Sequence, residues 1–279
     1  MALVLKTLYK GYNWMFEELA DPRVTHLNLL WMSSPLKPTI IITIYLYFTY
    51  NLGPRLMANR KPFELKYVMI MYNAIQVLLN SYIVYEAGQE VFFNISWDCA
   101  PVDYSFAPRS LYVLKLYHIF FLIKAADLLD TIFFVLRKKN RQISFLHVYH
   151  HFGMFIMLWV AVKFFGGGSG VFVGLINGAV HAIMYTYYLL TAIDEKWKQS
   201  VTFKRTLTQI QITQFFLFII IYGRLLFKAD CTYPKLCSYF FVPQNCFMLI
   251  LFGDFYRRTY LSKKKGPKEV TQNGKNVSL

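Results

Sequence analysis

Three histidines stand at the head of an apolar run, FLHVYHHFGMFIMLWV over residues 145–160. His147, His150 and His151 are three and four residues apart, which puts all three imidazoles on one face of a helix. Imidazole titrates near neutrality and serves as base, acid or nucleophile. Three further polar stripes lie in apolar surroundings. KAADLLDT repeats Lys124, Asp127, Asp130 and Thr131 at helical spacing, NGAVHAIMYTYY repeats Asn177, His181, Tyr185 and Tyr188, and TQIQITQ repeats Thr208, Gln211 and Gln214. A fourth histidine beside a cluster of three, with a lysine and two carboxylates, suits proton transfer and the stabilisation of an anionic intermediate. Each stripe alone also has a structural account. Gln and Tyr stripes make interhelical hydrogen bonds, and Lys124 with Asp127 or Asp130 makes an ion pair that fixes helix rotation.

What must position these residues is a set of membrane helices. Of 279 residues 56% are hydrophobic and 19% aromatic, in long blocks separated by short basic loops, which excludes an ordinary soluble domain. Spans are predicted near 36–53, 65–86, 112–136, 144–162, 170–192, 207–227 and 238–256, each close to the roughly 20 residues that cross a bilayer. The expected fold is an all-α polytopic membrane protein of about seven helices. Lys6, Lys10 and two glutamates interrupt the N-terminal apolar run, so no removable signal peptide is expected. Residues 1–262 read as a single membrane-embedded domain and 263–279 as a disordered basic tail. Ionisable groups within spans turn toward the bundle interior, so four polar stripes imply a closed polar chamber among the helices.

The net charge of +15 is distributed by side rather than as a nucleic-acid patch. Loops 53–66, 137–141 and 194–205 and the segment from Arg257 onward carry 19 of the 30 Lys and Arg residues, against 8 on the opposite face. The positive-inside rule then puts the C-terminus in the cytosol and the N-terminus across the membrane. Cys99 and Cys231 fall in loops on the non-cytosolic side, where a disulfide between them persists, the alternative being free thiols at the membrane surface. Cys237 lies beside the same loop, and Cys246 reads as core. Asn94 with Ser96 forms a glycosylation acceptor tripeptide on that side.

HVYHH (H-x-x-H-H), KAADLLDT, HAIMYTYY and TQIQITQ, in that order, resemble the very-long-chain fatty acid elongase family. DPRV, NRKPFELK and DLLDTIFFVLRKK extend the resemblance over nearly the whole chain. Asp127 departs from the family pattern, which has Glu there, and KNVSL at the end lacks a second lysine near Lys275, so residence in the endoplasmic reticulum rests on the resemblance. The resemblance implies the condensation of acyl-CoA with malonyl-CoA to 3-ketoacyl-CoA, carbon dioxide and CoA. It implies no metal and no cofactor beyond the CoA thioesters that are substrates.

With no cysteine suitably placed, His150 is the expected nucleophile, forming an acyl-imidazole, with Asp130 orienting its ring and Lys124 completing the charge balance. His147, His151 and His181 are expected to stabilise the enolate and handle protons; the rival is a direct condensation in which histidine acts only as base or oxyanion donor. Asp127, Asn177, Tyr185, Tyr188, Thr208, Gln211 and Gln214 are expected to line the substrate chamber. Arg137, Lys138, Lys139, Lys204 and Arg205 ring its cytosolic mouth, where they meet CoA phosphates or serve as topology determinants and lipid contacts. The acyl tail would run along the bundle toward the far face. Expected partners are membrane lipid, the ketoacyl reductase, dehydratase and enoyl reductase of an elongation cycle, and a second copy of the chain. Two other classes were weighed. Membrane di-iron desaturases and hydroxylases also use H-x-x-H-H but need more histidine ligands than the six present here; a seven-helix ligand-binding protein would seldom line its chamber with His, Lys and Asp.

Overall fold

The structure, a computed structural model, describes residues 1–262; the tail expected to be disordered, 263–279, lies outside the described residues. It is helical, and no strand occurs among the described residues. Ten α-helices follow in order: α1 (Ala2–Asn13), α2 (Pro22–His26), α3 (Leu36–Tyr47), α4 (Gly53–Met57), α5 (Lys66–Phe93), α6 (Pro108–Leu136), α7 (Phe145–Phe165), α8 (Val171–Ile193), α9 (Val201–Phe227) and α10 (Lys235–Tyr256).

Among the described residues five helical stretches are long and apolar enough to cross a membrane: Lys66–Phe93, Phe145–Phe165, Gly168–Ile193, Val201–Phe227 and Lys235–Leu261. The other two predicted spans are helical but of different character. Residues 36–57 are divided by a π-helical turn at Phe48–Leu52, which leaves α3 only 12 residues long. α6 carries Arg109, Lys115, Lys124, Asp127 and Asp130, which lower its hydropathy.

Local chemistry sets the helix starts that matter for the site. Ser144 is the N-cap of α7, its side chain accepting from the backbone N–H of His147 at 3.2 Å. The histidine face therefore begins in the first turn. Ser200 caps α9 in the same way through Phe203. α5 packs along α8, α6 against α7, and α9 against α10. The α5–α8 seam is close at Gly178, where a Cβ would lie 3.1 Å from Val84 Cγ2 and 3.4 Å from Asn80 O.

The two ends of the bundle are chemically distinct. At one end the basic turns meet, Phe63 N donating to Leu136 O and Lys138 Nζ to Ala58 O. At the other end Cys99 and Cys231 form a disulfide. Close to that end an N-terminal segment inserts between α6 and α7. Arg23, 1% exposed, pairs with Asp21 and donates to Ser110 Oγ at 2.6 Å and Gly166 O at 2.8 Å. Trp159 Nε1 donates to Trp31 O, and the His118 ring bonds Leu30 O. His118, outside the histidine cluster, thus fastens the segment to α6.

Candidate active site

Four helices bring the titratable groups together midway along the bundle. Lys124 on α6 is 2% exposed, and its ammonium donates to Asp127 Oδ2 at 3.0 Å and to His181 Nδ1 on α8 at 2.8 Å. His181 Nδ1 is also 3.4 Å from Asp127 Oδ2. Burying a lysine and an aspartate together is tolerable only when each compensates the other and the remaining valences are filled. Gln76 Nε2 from α5 fills Asp127 Oδ1 at 2.8 Å, and the Tyr185 hydroxyl reaches the same oxygen at 2.9 Å.

The α7 histidines stand beside this pair. His147 Nε2 meets Thr131 Oγ1 at 2.9 Å, and Thr131 is in turn bonded to Tyr45 OH at 2.8 Å. The rings of His147 and His151 are 4.1 Å apart. His151 Nδ1 is buried without a hydrogen-bond partner among the described residues. The His150 ring lies nearly parallel to that of His181, 6.4 Å away, flanked by Phe215 and Phe252. No hydrogen bond engages the His150 ring among the described residues, so its nitrogens are available to a ligand.

Asp130, expected to orient His150, instead meets Tyr185, whose hydroxyl is 2.8 Å from Asp130 Oδ2. The carboxylate joined to a histidine is Asp127, one turn earlier. Both lie on the same helical face, and spacing alone does not separate them. Asn177 donates to Gln214 Oε1 at 3.2 Å, linking α8 to α9. Gln211 Nε2 points at Met184 Sδ, Thr208 bonds Lys204 O within its own helix, and Tyr188 stays partly exposed against Tyr185. These three fall outside the histidine cluster's hydrogen bonds.

At the basic end Arg137 is half-buried against Met69 Sδ, Lys138 is held by Ala58 O at 3.2 Å, and Lys139 is exposed. Lys204 donates to Lys198 O, and Arg205 donates to Tyr256 OH at 2.8 Å while lying over that ring. At the opposite end Asn94 is exposed at the close of α5, its amide donating to Gln89 O.

Beside the polar cluster an apolar cavity of about 370 Å³ is lined by all six helices from α5 to α10 and extends toward the disulfide end. Phe120, over whose ring Lys124 Nζ sits at 5.2 Å, lines the cavity, as does Met154, one turn from His150. Glu90, Tyr117, Tyr233 and Cys237 line its far part. A second, polar cavity of about 270 Å³ lies there and shares Glu90, Val113 and Val171 with the first. Glu90 is paired with Arg109 at 2.7 Å.

Sequence reading missed a polar stripe on α5. Tyr72, Asn73, Gln76 and Asn80 form it; Asn73, Gln76 and Asn80 are at most 3% exposed. Tyr72 and Gln76 complete the environment of Asp127 and Tyr185. The signal was present as amides three and four apart in NAIQVLLN.

The chain matches the family model described as ELO, the GNS1/SUR4 family, over residues 30–268. It is 43% identical over 264 residues to very long chain fatty acid elongase 7 of Rattus norvegicus, covering 94% of this chain and 92% of the relative. It is 40% identical to very long chain fatty acid elongase 1 of Homo sapiens over 258 residues, 91% of each chain. Human very long chain fatty acid elongase 4 is 38% identical, covering 98% of this chain and 86% of the relative.

Proposed function

The chain belongs to the ELO (GNS1/SUR4) family, and on that premise we propose that it is the condensing enzyme of fatty acid elongation: acyl-CoA, malonyl-CoA and one proton give 3-ketoacyl-CoA, carbon dioxide and CoA. The observation that carries this reading is a buried His/Lys/Asp cluster beside an apolar cavity, with Phe120 lying under Lys124 and lining that cavity. Such a junction suits a fatty acyl thioester, with its reacting carbonyl among the polar groups and its hydrocarbon tail in the cavity.

His150 is the nucleophile in this reading. An imidazole nitrogen attacks the acyl carbon, the C–S bond breaks, and CoA leaves. Malonyl-CoA then loses carbon dioxide, and its enolate carbon attacks the acyl-imidazole, restoring the histidine. Lys124 donates to Nδ1 of His181, which puts the proton of a neutral ring on Nε2 and makes that nitrogen a donor for the enolate oxygen. The His147 ring is steadied by Thr131, and the free Nδ1 of His151 is an acceptor or donor left for substrate or water.

The wider reading follows from charge, hydropathy and membership of the family. Seven spans, the five apolar ones with residues 36–57 and α6, enclose the chamber and acyl tunnel within one domain, residues 1–262. The protein resides in the endoplasmic reticulum membrane with its N-terminus lumenal, and the tail at 263–279 is cytosolic. Lys139, Lys204 and Arg205 at the basic end meet CoA phosphates. The enzymes that reduce, dehydrate and reduce again the 3-ketoacyl product are its functional partners, and CoA thioesters are its substrates without a separate cofactor.

The test is to incubate purified protein with a long acyl-CoA alone. Release of CoA and a protein mass raised by one acyl group are expected, and His150→Ala abolishes both. Release only in the presence of malonyl-CoA overturns the acyl-enzyme; failure to form labelled 3-ketoacyl-CoA from labelled malonyl-CoA overturns the elongase reading itself.

A further inference from the structure

The Tyr185 hydroxyl lies between two carboxylates, 2.9 Å from Asp127 Oδ1 and 2.8 Å from Asp130 Oδ2. A phenol carries one proton and donates it once. The second approach is also at hydrogen-bond distance, and two oxygens that both lack a proton would repel there, so the second contact requires a proton supplied by a carboxyl group. Neighbouring donors leave this shortage in place. Gln76 Nε2 donates to Asp127 and to the Tyr72 oxygen, and the Tyr72 hydroxyl, which reaches Ala126 O at 3.2 Å and lies 3.4 Å from the Tyr185 oxygen, puts no proton between Tyr185 and either carboxylate.

The two carboxylates are not equivalent. Asp127 faces the Lys124 ammonium at 3.0 Å and is the anion of that pair. Asp130 has no ion pair among the described residues. The titratable groups facing it are Tyr45, Tyr72, Tyr185 and Tyr188, with Asp127 and Lys124 on its own helix. A second anion one turn from the first, half-buried and without a cation of its own, would be poorly compensated in a membrane interior.

We infer that Asp130 is held as the carboxylic acid, donating to the Tyr185 oxygen while Tyr185 donates to Asp127. The three groups then form a directed chain of O–H bonds ending on the carboxylate that touches Lys124 and His181. This inference rests on the condensation proposed above for its use, and on hydrogen-bond count for its existence. Breaking the acyl thioester leaves a thiolate, and the net reaction consumes one proton there. That proton comes from Asp130. As the C–S bond breaks, Lys124 protonates the sulfur; Asp130 gives its proton to Tyr185, Tyr185 gives its own to Asp127, and Asp127, protonated by that transfer, gives a proton back to Lys124. Lys124, Asp127 and Tyr185 finish as they began, CoA leaves as the thiol, and Asp130 becomes a carboxylate that is reprotonated before the next turnover. Asp130 is thus a proton-supplying residue that acts through Tyr185, without touching substrate.

Infrared spectroscopy of the purified full-length protein tests the proton's location without substrate. A carboxylic-acid C=O band that shifts in D₂O is expected in the wild type, lost in Asp130→Asn and retained in Asp127→Asn. Its absence from the wild type, or its persistence in Asp130→Asn, overturns the inference. In Tyr185→Phe the band should move, because the acid loses its acceptor; a stationary band overturns the bridge even if an Asp variant does not fold. In the condensation assay Asp130→Asn should keep the thermal midpoint, since the amide donates as the acid did. It should lower kcat about 100-fold, the lower end of proton-transfer contributions, with both KM values unchanged. A wild type that condenses malonyl-CoA alongside an Asp130→Asn enzyme of undiminished kcat sinks the relay and leaves the proposed function standing. A wild type that shows the band but no condensation does the reverse.

Discussion

Blocking the apolar cavity at a chosen depth should shorten the acyl chains that the protein accepts, and helix geometry gives the amount. Gly174 on α8 lines the cavity, and its site tolerates a Cβ, which would meet Ile83 and Ala87 at 3.5 and 3.6 Å. It lies seven residues before His181, about 10 Å along the helix axis. The far wall at Glu90 lies fourteen residues beyond Gln76, which bonds Asp127 in the polar cluster, about 21 Å along α5. An extended chain advances about 1.2 Å per bond, a third of the ~3.5 Å that one residue and its three backbone bonds cover. The open cavity therefore takes about 17 chain bonds, and Gly174→Leu leaves about 8. Each methylene buried contributes about 0.8 kcal/mol, close to a fourfold change in affinity. In a series of saturated acyl-CoAs, the wild type should gain kcat/KM with each methylene up to about 17 bonds, while Gly174→Leu should stop gaining near 8. Condensation with labelled malonyl-CoA across the series reads both plateaus directly. Identical chain-length profiles for the two proteins would refute the assignment of this cavity to the acyl tail.

Lys204→Gln combined with Arg205→Gln should raise the KM for both CoA substrates several-fold with little change in kcat, the pattern of lost uniform binding; an unchanged KM would limit these residues to topology and the Tyr256 contact. Cys99→Ser opens a loop with a sequence separation of 132 residues and should lower stability by about 2–4 kcal/mol, read as a depressed thermal midpoint in detergent. A midpoint equal to the wild type would deny the disulfide a stabilising role. Arg23→Met strands Asp21 in a buried position, where loss of one partner of a buried pair costs about 3–5 kcal/mol. Asp21→Asn in the same background should recover part of the loss, and no recovery would place the effect elsewhere.

The histidine face was legible because period and polarity agree: imidazoles three and four apart in an oily run can only share a side of a helix, and Ser144 supplies its start. The Cys99–Cys231 pairing was legible because charge asymmetry sorts the loops by side before cysteine is considered. Other features depend on rotation and depth, which spacing leaves open. Asp127 and Asp130 occupy one face, and only the rotation of α6 against α8 gives His181 to the former and leaves Tyr185 between them. Gln76 belongs to the site because Gly178 lets α5 lie close against α8, a packing fact with no local signature in α5 itself. The five apolar helices announce themselves by hydropathy. α6 does so poorly, because the charged residues that make it chemically interesting also dilute its apolar character.

The Asp21–Arg23 clasp also governs when the protein can finish folding. Arg23 donates to Ser110 and to Gly166 O, the latter 143 residues later in the chain. At a synthesis rate of about 5–20 residues per second, roughly 7–30 s separate the emergence of Arg23 from that of its last acceptor. Throughout that interval the guanidinium and carboxylate must wait outside the helix bundle, because neither can be buried before its partners exist. The N-terminal segment, although it is made first, therefore cannot dock before α7 is complete. Nascent chains arrested before Gly166 should leave it open to protease, and chains released after that point should protect it.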